Sequence, residues 1–247
     1  VNYNRDIEIF PVVNAMFQLI AGASPYKSPT DMGVNMAGNC ISDDAVCRRA
    51  SQQEIIRRYY KSMCEQRRTG ETRDDLRKLK LLMQQAGVTT QDRAVVGAAL
   101  QCSEATGNLP AAALELEDGT IVTGHTSTLL GASAAVLMNA LKALAGIDHE
   151  IDLLSPVCIE PIQTLKTRYL GSRNPRLHTD EILIALSSSA ATNPLARQAM
   201  EQLPKLHGCE AHSTVLLSAV DEQTFKRLGV NLTCEPCFEE EDRKYHK

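Results

Sequence analysis

A chain of 247 residues with 43% hydrophobic content carries enough apolar material for one large core or two small ones. Its 26 lysines and arginines against 30 aspartates and glutamates leave a formal charge of −4, which excludes a global basic field for nucleic acid or an anionic membrane. Aromatics at 4% and no tryptophan leave few platforms on which single-stranded bases could stack.

The first 22 residues hold an apolar series through Ile7, Phe10, Met16 and Ile20, interrupted by Pro11. Proline is tolerated in a first helical turn, so a helix is expected to begin near Pro11. Residues 23–39 are rich in Pro, Gly, Ser and Asn without periodicity and read as a long loop. Ser42, Asp43 and Asp44 are expected to start a short helix. Ser51-Gln52-Gln53-Glu54 matches a capping box opening a longer one, with Ile55, Ile56, Tyr59, Tyr60 and Met63 inside. Thr72 or Asp74 caps a helix stopped by Gly87, and Thr89 or Thr90 opens another running to Gly107.

After Asn108-Leu109-Pro110 the pattern changes. Ala113 to Glu117 alternates at period two, Asp118-Gly119 is a two-residue hairpin signal, and Thr120 to Thr123 returns as a strand. Leu129 to Ala145 is almost entirely apolar or small, the mark of a helix buried on most faces. Further along, the expected elements are a strand over 151–159 interrupted by Ser155-Pro156, helices over 160–170 and 177–191, and a helix capped by Asn193-Pro194. A strand over 211–218, a helix over 221–228 and a strand over 230–234 follow. The expected fold class is therefore α+β. A helical region 1–107 with the loop 23–39 precedes an α/β layered region 108–238 with its hairpin and buried helix, and a charged tail covers 239–247.

Eight cysteines lie scattered in a chain too long to need disulfide staples, no apolar run of about eighteen residues occurs, and the N-terminus lacks the order of a signal peptide. A reducing cytoplasm is the expected location.

Chemistry is harder to read. Cys234-Glu235-Pro236-Cys237 has the spacing of half a zinc site, but a structural zinc needs four ligands and no second pair accompanies it. His207, Cys209 and His212 are close in sequence only, so the expected metal is none. No Gly-x-x-x-x-Gly-Lys-Ser/Thr, Gly-x-Gly-x-x-Gly, Gly-x-Ser-x-Gly or His-Glu-x-x-His occurs, which removes the usual anchors for nucleotide, dinucleotide, serine-hydrolase and metalloprotease readings.

Two polar clusters combine cations, hydroxyls and carboxylates beside a turn. The first is Lys27, Ser28, Thr30 and Asp31 with Asn35. The second is Arg173, Asn174 and Arg176 with His178, Thr179, Asp180 and Glu181. Each suits a phosphate or carboxylate ligand; helix capping accounts for the first as well and is the preferred reading of the second. Across the cleft such a ligand would need, Lys27 is the expected partner of Arg173 and Arg176.

The order hairpin, helix, strand, helix resembles the cytidine-deaminase superfamily, and DGTIVTGHTSTLLGASAAVLMNALKAL is similar to its strand-to-helix passage. The zinc chemistry of that superfamily is missing. Ala132, Ser133 and Ala134 stand where its His/Cys-x-Glu would be, and Pro156-Val157-Cys158-Ile159-Glu160 keeps one thiol at most of its Pro-Cys-x-x-Cys. The resemblance implies the topology without the zinc site, and no deamination.

A wider resemblance rests on VNYNRDIEIFPVV, SPYKSPTDMGVNMAG, SQQEIIRRYY, LELEDGTIVTG, LGSRNPRLHTDEILIALS, AATNPLARQAMEQLPKLHGCEAHST and DEQTFKRLGVNLTCEP. On these runs the chain resembles the C-terminal half of the domain-of-unknown-function 1846 family, also called uncharacterised protein family 0371. The resemblance implies a bacterial protein about twice this length, whose N-terminal half, with a phosphate-loop-like turn, is expected to be absent here and to act as partner. That would account for Val1 in place of a start methionine. It implies no reaction and no cofactor. The label of ATP-dependent zinc protease that some relatives carry finds neither ligands nor nucleotide loop in these residues.

Two functional readings follow. One is a two-part protein that binds a phosphorylated or nucleotide-like small molecule through residues 24–39 and 172–181. The other is a structural or homo-oligomeric domain in which helix 129–145 and the run Ser187–Ala191 bury against another subunit.

Overall fold

A computed structural model describes residues 3–36, 43–71 and 74–239. The expectations that fall on Ser42, on Thr72, on positions 37–39 of the long loop and on residues 240–247 of the tail lie outside these. The chain divides into two compact units, Val1–Arg93 and Ala94–Lys247.

The first unit is helical. Helix α1 (Tyr3–Ala21) is followed by α2 (Pro29–Met36), α3 (Asp44–Thr69) and α4 (Asp74–Ala86). Helix α3 packs against α2 and α4, and α1 against the same two. Ile7 and Phe10 of α1, Met32 of α2, Ile55, Ile56 and Tyr60 of α3, and Leu79, Leu82 and Met83 of α4 are buried.

Three expectations need correction here. Pro11 lies within α1 rather than at its start; it removes the N–H that would meet the Ile7 carbonyl, and the buried Ile7 and Phe10 anchor the helix on the N-terminal side of that break. The long loop contains α2, begun by a hydroxyl cap described below. Ser51 opens no helix. Asp43 caps a single helix through 26 residues, its Oδ1 accepting from the Ala45 and Val46 N–H groups, and Ser51 is buried inside it. The capping-box pattern at Ser51 is matched by chance, because its hydroxyl donates instead to Thr30 Oγ1 at 2.6 Å.

The second unit begins with α5 (Ala94–Ala105), then the hairpin β1 (Ala111–Glu115) and β2 (Ile121–His125), then α6 (Ala132–Ala145). Helices α7 (Pro156–Thr164), α8 (Thr179–Ser189) and α9 (Pro194–Met200) follow. Strand β3 (Glu210–Ser213), helix α10 (Ala219–Arg227) and strand β4 (Asn231–Cys234) complete it. The sheet order is β2-β1-β3-β4. Strand β1 is antiparallel to both neighbours, and β3 runs parallel to β4, with α10 as the crossover.

Strand β1 is buried on both faces. Ala112 and Leu114 turn to a core with Leu137 and Leu141 of α6 and Ile182 and Leu186 of α8, whereas Ala113 packs with Val95 and Ala99 of α5. Helix α6 lies so close to the sheet that a Cβ at Gly124 would meet the Val136 backbone nitrogen and come within 2.8 Å of the Ala135 carbonyl carbon. Only glycine lets β2 and α6 approach this far. The mixed α+β class expected from the sequence is what the structure shows, with helices first and a small sheet later.

The hairpin turn differs from a two-residue loop. Gly119 N–H donates to the Leu116 carbonyl and Leu116 N–H to the Thr120 carbonyl, with Gly119 at φ +83°, so three residues turn the chain and the glycine absorbs the bulge. No strand forms over 151–159. Ser155 and Pro156 are the N-cap and first residue of α7, so the pair that looked like a strand interruption starts a helix. The strand that follows α6 is β3, after three helices, and the superfamily-like order hairpin, helix, strand, helix is corrected accordingly. Asn193 behaves as expected, its Oδ1 accepting from Leu195 and Ala196 N–H.

Candidate functional site

Within the first unit a cleft of about 310 Å³ opens among α1, the α1–α2 connection, α3 and α4. Phe10, Ile55 and Leu82 give it an apolar side, Asn14, Gln52 and Gln85 supply amides, and Lys27 and Arg48 bring positive charge; none of its lining residues is an acid. Lys27 is exposed, and Tyr26 beside it is held edge-on by Phe17, ring centroids 5.8 Å apart.

Most of the first predicted cluster serves the start of α2. Ser28 Oγ accepts from Asp31 N–H at 3.0 Å, and Asp31 Oδ2 accepts from Lys27 N–H at 2.6 Å, a reciprocal cap on buried side chains. Thr30 receives the Ser51 hydroxyl. Asn35 lies in α2. Lys27 and Ser28 therefore reach the cleft, whereas Asp31 and Thr30 hold the turn that presents them. Arg48 was missed by the sequence reading; it sits on the polar face of α3, where its guanidinium has no local pattern to announce it.

The second predicted cluster belongs to the second unit and is organised as paired charges. Lys166, in a π-helical turn after α7, is 9% exposed in its side chain; its Nζ donates to Glu181 Oε2 at 2.8 Å and to the Arg176 carbonyl at 2.6 Å. Glu181 Oε2 also accepts from His178 N–H, capping α8. Arg176 donates through Nη1 to Glu239 at 2.7 Å and through Nε to the Ser127 carbonyl. Asn174 Oδ1 accepts from Arg176 N–H and fixes the loop, and Asp180 Oδ1 accepts from Glu181 N–H. Arg173 is exposed.

His178 Nδ1 stands 3.0 Å from Asp221 Oδ2, a residue of α10 that sequence reading placed only as a helix start. Asp221 is buried, its Oδ1 accepting from Thr179 N–H at 2.9 Å and its Oδ2 from the Ser218 hydroxyl at 2.8 Å. Burial pushes the Asp221 carboxyl up, but the hydrogen bond and charge of His178, with the Thr179 N–H and Ser218 hydroxyl, outweigh it and bring the pKa to about 2. The same hydrogen bond raises the His178 imidazole above its ordinary value against the opposing effect of burial. The N–H groups of Thr179 and Glu181, which an anion at the start of α8 would use, are thus engaged by the chain's own carboxylates.

Cys234 is buried and Cys237 exposed. His212 is fully buried in β3, Nδ1 2.9 Å from Thr233 Oγ1 and Nε2 3.4 Å from Glu235. Among the described residues no group of three or more His, Cys, Asp and Glu side chains could hold a metal ion. No helix among them is long and apolar enough to cross a membrane.

A two-unit chain with this order of elements matches two family models, which meet close to the junction of the units. Residues 1–87 match the domain of unknown function DUF1846, N-terminal, and residues 91–244 match DUF1846, C-terminal. The chain belongs to the DUF1846 family. It is 56% identical over 247 residues to a UPF0371 protein of Corynebacterium diphtheriae, covering all of this chain and 49% of that protein. It is 55% identical over 240 residues to one of Corynebacterium glutamicum, and 51% identical over 247 residues to one of Streptococcus thermophilus, about half of each. The chain spans about half the length of the curated relatives it matches. The expectation of C-terminal family sequence alone, with the N-terminal part an absent partner, is corrected. Residues 1–87 match the N-terminal model within this chain.

Proposed function

We propose that this chain binds a small phosphorylated or nucleotide-like molecule in the cleft of its first unit, the anion held by Lys27 and Arg48. The observation that carries the reading is a ligand-sized cleft whose charged lining residues are two cations and no acid. Charge-assisted bonds from a guanidinium and an ammonium are the strong ones for phosphate oxygens. The apolar side from Phe10, Ile55 and Leu82 would take the body of the molecule, and the amides of Asn14, Gln52 and Gln85 its hydroxyl or ring polar groups. A thermal-shift screen with nucleotides and sugar phosphates tests it. A saturable rise in melting temperature that disappears in Arg48→Ala supports the proposal, and an unresponsive panel refutes it.

The assembly reading keeps one supporting observation. Val12, Met16, Leu19 and Ile20 of α1 are exposed at helical spacing, at 60%, 53%, 87% and 80%. Helix α6 contacts β1, β2, α8 and α9 of its own unit, so the exposed α1 residues are the stronger support for this reading. Solution mass separates the readings, since a ligand-indifferent dimer broken by Leu19→Lys would favour assembly.

A further inference from the structure

The network at the start of α8 contains more than a helix cap requires. Asp221 alone satisfies the Thr179 N–H and the Ser218 hydroxyl, so capping would be complete without an imidazole. His178 is nevertheless held against that carboxylate through Nδ1, and its side chain stays 30% exposed while Asp221 is 5% exposed. The ring's contact with Asp221 runs through Nδ1, so Nε2 is the nitrogen left for an outside partner. Thr179 Oγ1, next in sequence, is buried and without a hydrogen-bond partner among the described residues.

The surrounding charges decide what kind of partner fits. Lys166 is matched by Glu181, Arg176 by Glu239, and the imidazole by Asp221. Asp180 adds a negative charge in the first turn of α8. No excess of positive charge selects an anion here, whereas a neutral O–H group needs none. A buried carboxylate behind a half-buried imidazole is the arrangement that keeps one ring nitrogen protonated and leaves the other basic.

We propose that His178 is a proton-transfer residue: through Nε2 it takes the proton of an O–H group, from water or the hydroxyl of a neutral molecule, while Asp221 holds the tautomer and balances the imidazolium. In that step the O–H bond breaks and an N–H bond forms on Nε2. The electron pair freed on oxygen bonds to the carbonyl carbon of an acyl ester, whose alcohol or phenol then leaves with the electron pair of the broken C–O bond. Asp221 keeps its negative charge, because its carboxyl is held far below the imidazole in acidity range. The hydrogen bond from Asp221 raises the imidazole above its ordinary value against burial, which favours the protonated ring that the step forms. Lys166 and Glu181 fix the backbone on which His178 sits, through the His178 N–H and the Arg176 carbonyl.

Hydrolysis of p-nitrophenyl acetate by the 247-residue chain, with water as the hydroxyl donor, tests the proposal. The protein-dependent rate is expected to rise with pH along the titration of His178 followed by NMR, to fall at least tenfold in His178→Gln, and to show a lower midpoint in Asp221→Asn. A rate unchanged in a folded His178→Gln, or a midpoint that ignores the carboxylate, overturns it. Because Asp221→Asn removes a buried cap and could unfold, diethyl pyrocarbonate on the unaltered chain gives a second reading. Carbethoxylation at His178 that follows the same pH midpoint supports a free basic Nε2. His178 left unmodified while the exposed His149 reacts overturns it.

Discussion

Replacing Asp221 by asparagine removes a charge that joins the starts of α8 and α10, and its cost can be worked out. The carboxyl moves from an ordinary 3.8 to about 2 on folding. At about 1.36 kcal/mol per pKa unit this represents about 2 kcal/mol of stability, undiscounted for solvent because the side chain is only 5% exposed. The sign follows from the direction. A lowered carboxylate contributes fully above 3.8, and the contribution is lost as pH falls through about 2. His178, raised above 6.5, contributes fully below that value and loses its share as pH climbs past the folded value. Both shifts describe one pair and are not added. The pair is therefore strongest between about pH 4 and 6.5. Urea unfolding of wild type and Asp221→Asn, compared at pH 5.5 and pH 9, should show a loss of about 2 kcal/mol at the lower pH and a smaller one at the higher. A difference below about 0.5 kcal/mol, or one identical at both pH values, would refute the reasoning.

Gly124→Ala should cost at least about 2 kcal/mol, because the added methyl meets α6 backbone rather than a side chain that can swing away, and a thermal melt reads it. Lys166→Met leaves Glu181 and the Arg176 carbonyl without their ammonium; since Glu181 keeps 24% exposure, the expected loss is about 2 kcal/mol, below that of a fully buried pair, measured by urea unfolding. Hydroxyls of Ser189 and then Ser155 hold the Cys158 thiol below its ordinary range, whereas burial pushes Cys209 up. Iodoacetamide at neutral pH should label Cys158 well before Cys209, and Ser189→Ala should slow it; equal rates would contradict the assignment.

Local chemistry was legible wherever a residue acts on its own neighbours. Asn193-Pro194 caps α9 as read, and the apolar run 129–145 contains the buried helix, which starts at Ala132 behind Gly131. Errors arose where one pattern serves two structures. Ser155-Pro156 breaks a strand or starts a helix, and the choice depends on burial of Ile159 against the core. Ser51 has the residues of a cap, but Asp43 upstream had already started the helix. Composition changes at Pro110, where strands begin, yet the compact second unit starts at Ala94, because α5 covers the face of β1 that carries Ala113. The site partners were out of reach for a different reason. His178 and Asp221 are 43 positions apart, and their contact is made by the packing of α8 against α10. Ser218-x-x-Asp221 is itself a capping pattern and could have flagged Asp221, although nothing local would have named His178 as its partner. Arg48 lies on a charged face of α3 that gives no periodic signal.

Direct binding of the phosphorylated compound that stabilises the chain most, measured by calorimetry on wild type, Lys27→Ala, Arg48→Ala and the surface control Lys78→Ala, tests the cleft most sharply. Each lost charge-assisted bond should weaken binding by about 1.5 to 3 kcal/mol in Lys27→Ala and Arg48→Ala, with the unliganded melting temperature unchanged and Lys78→Ala like wild type. Equal affinity in all four proteins would contradict the account.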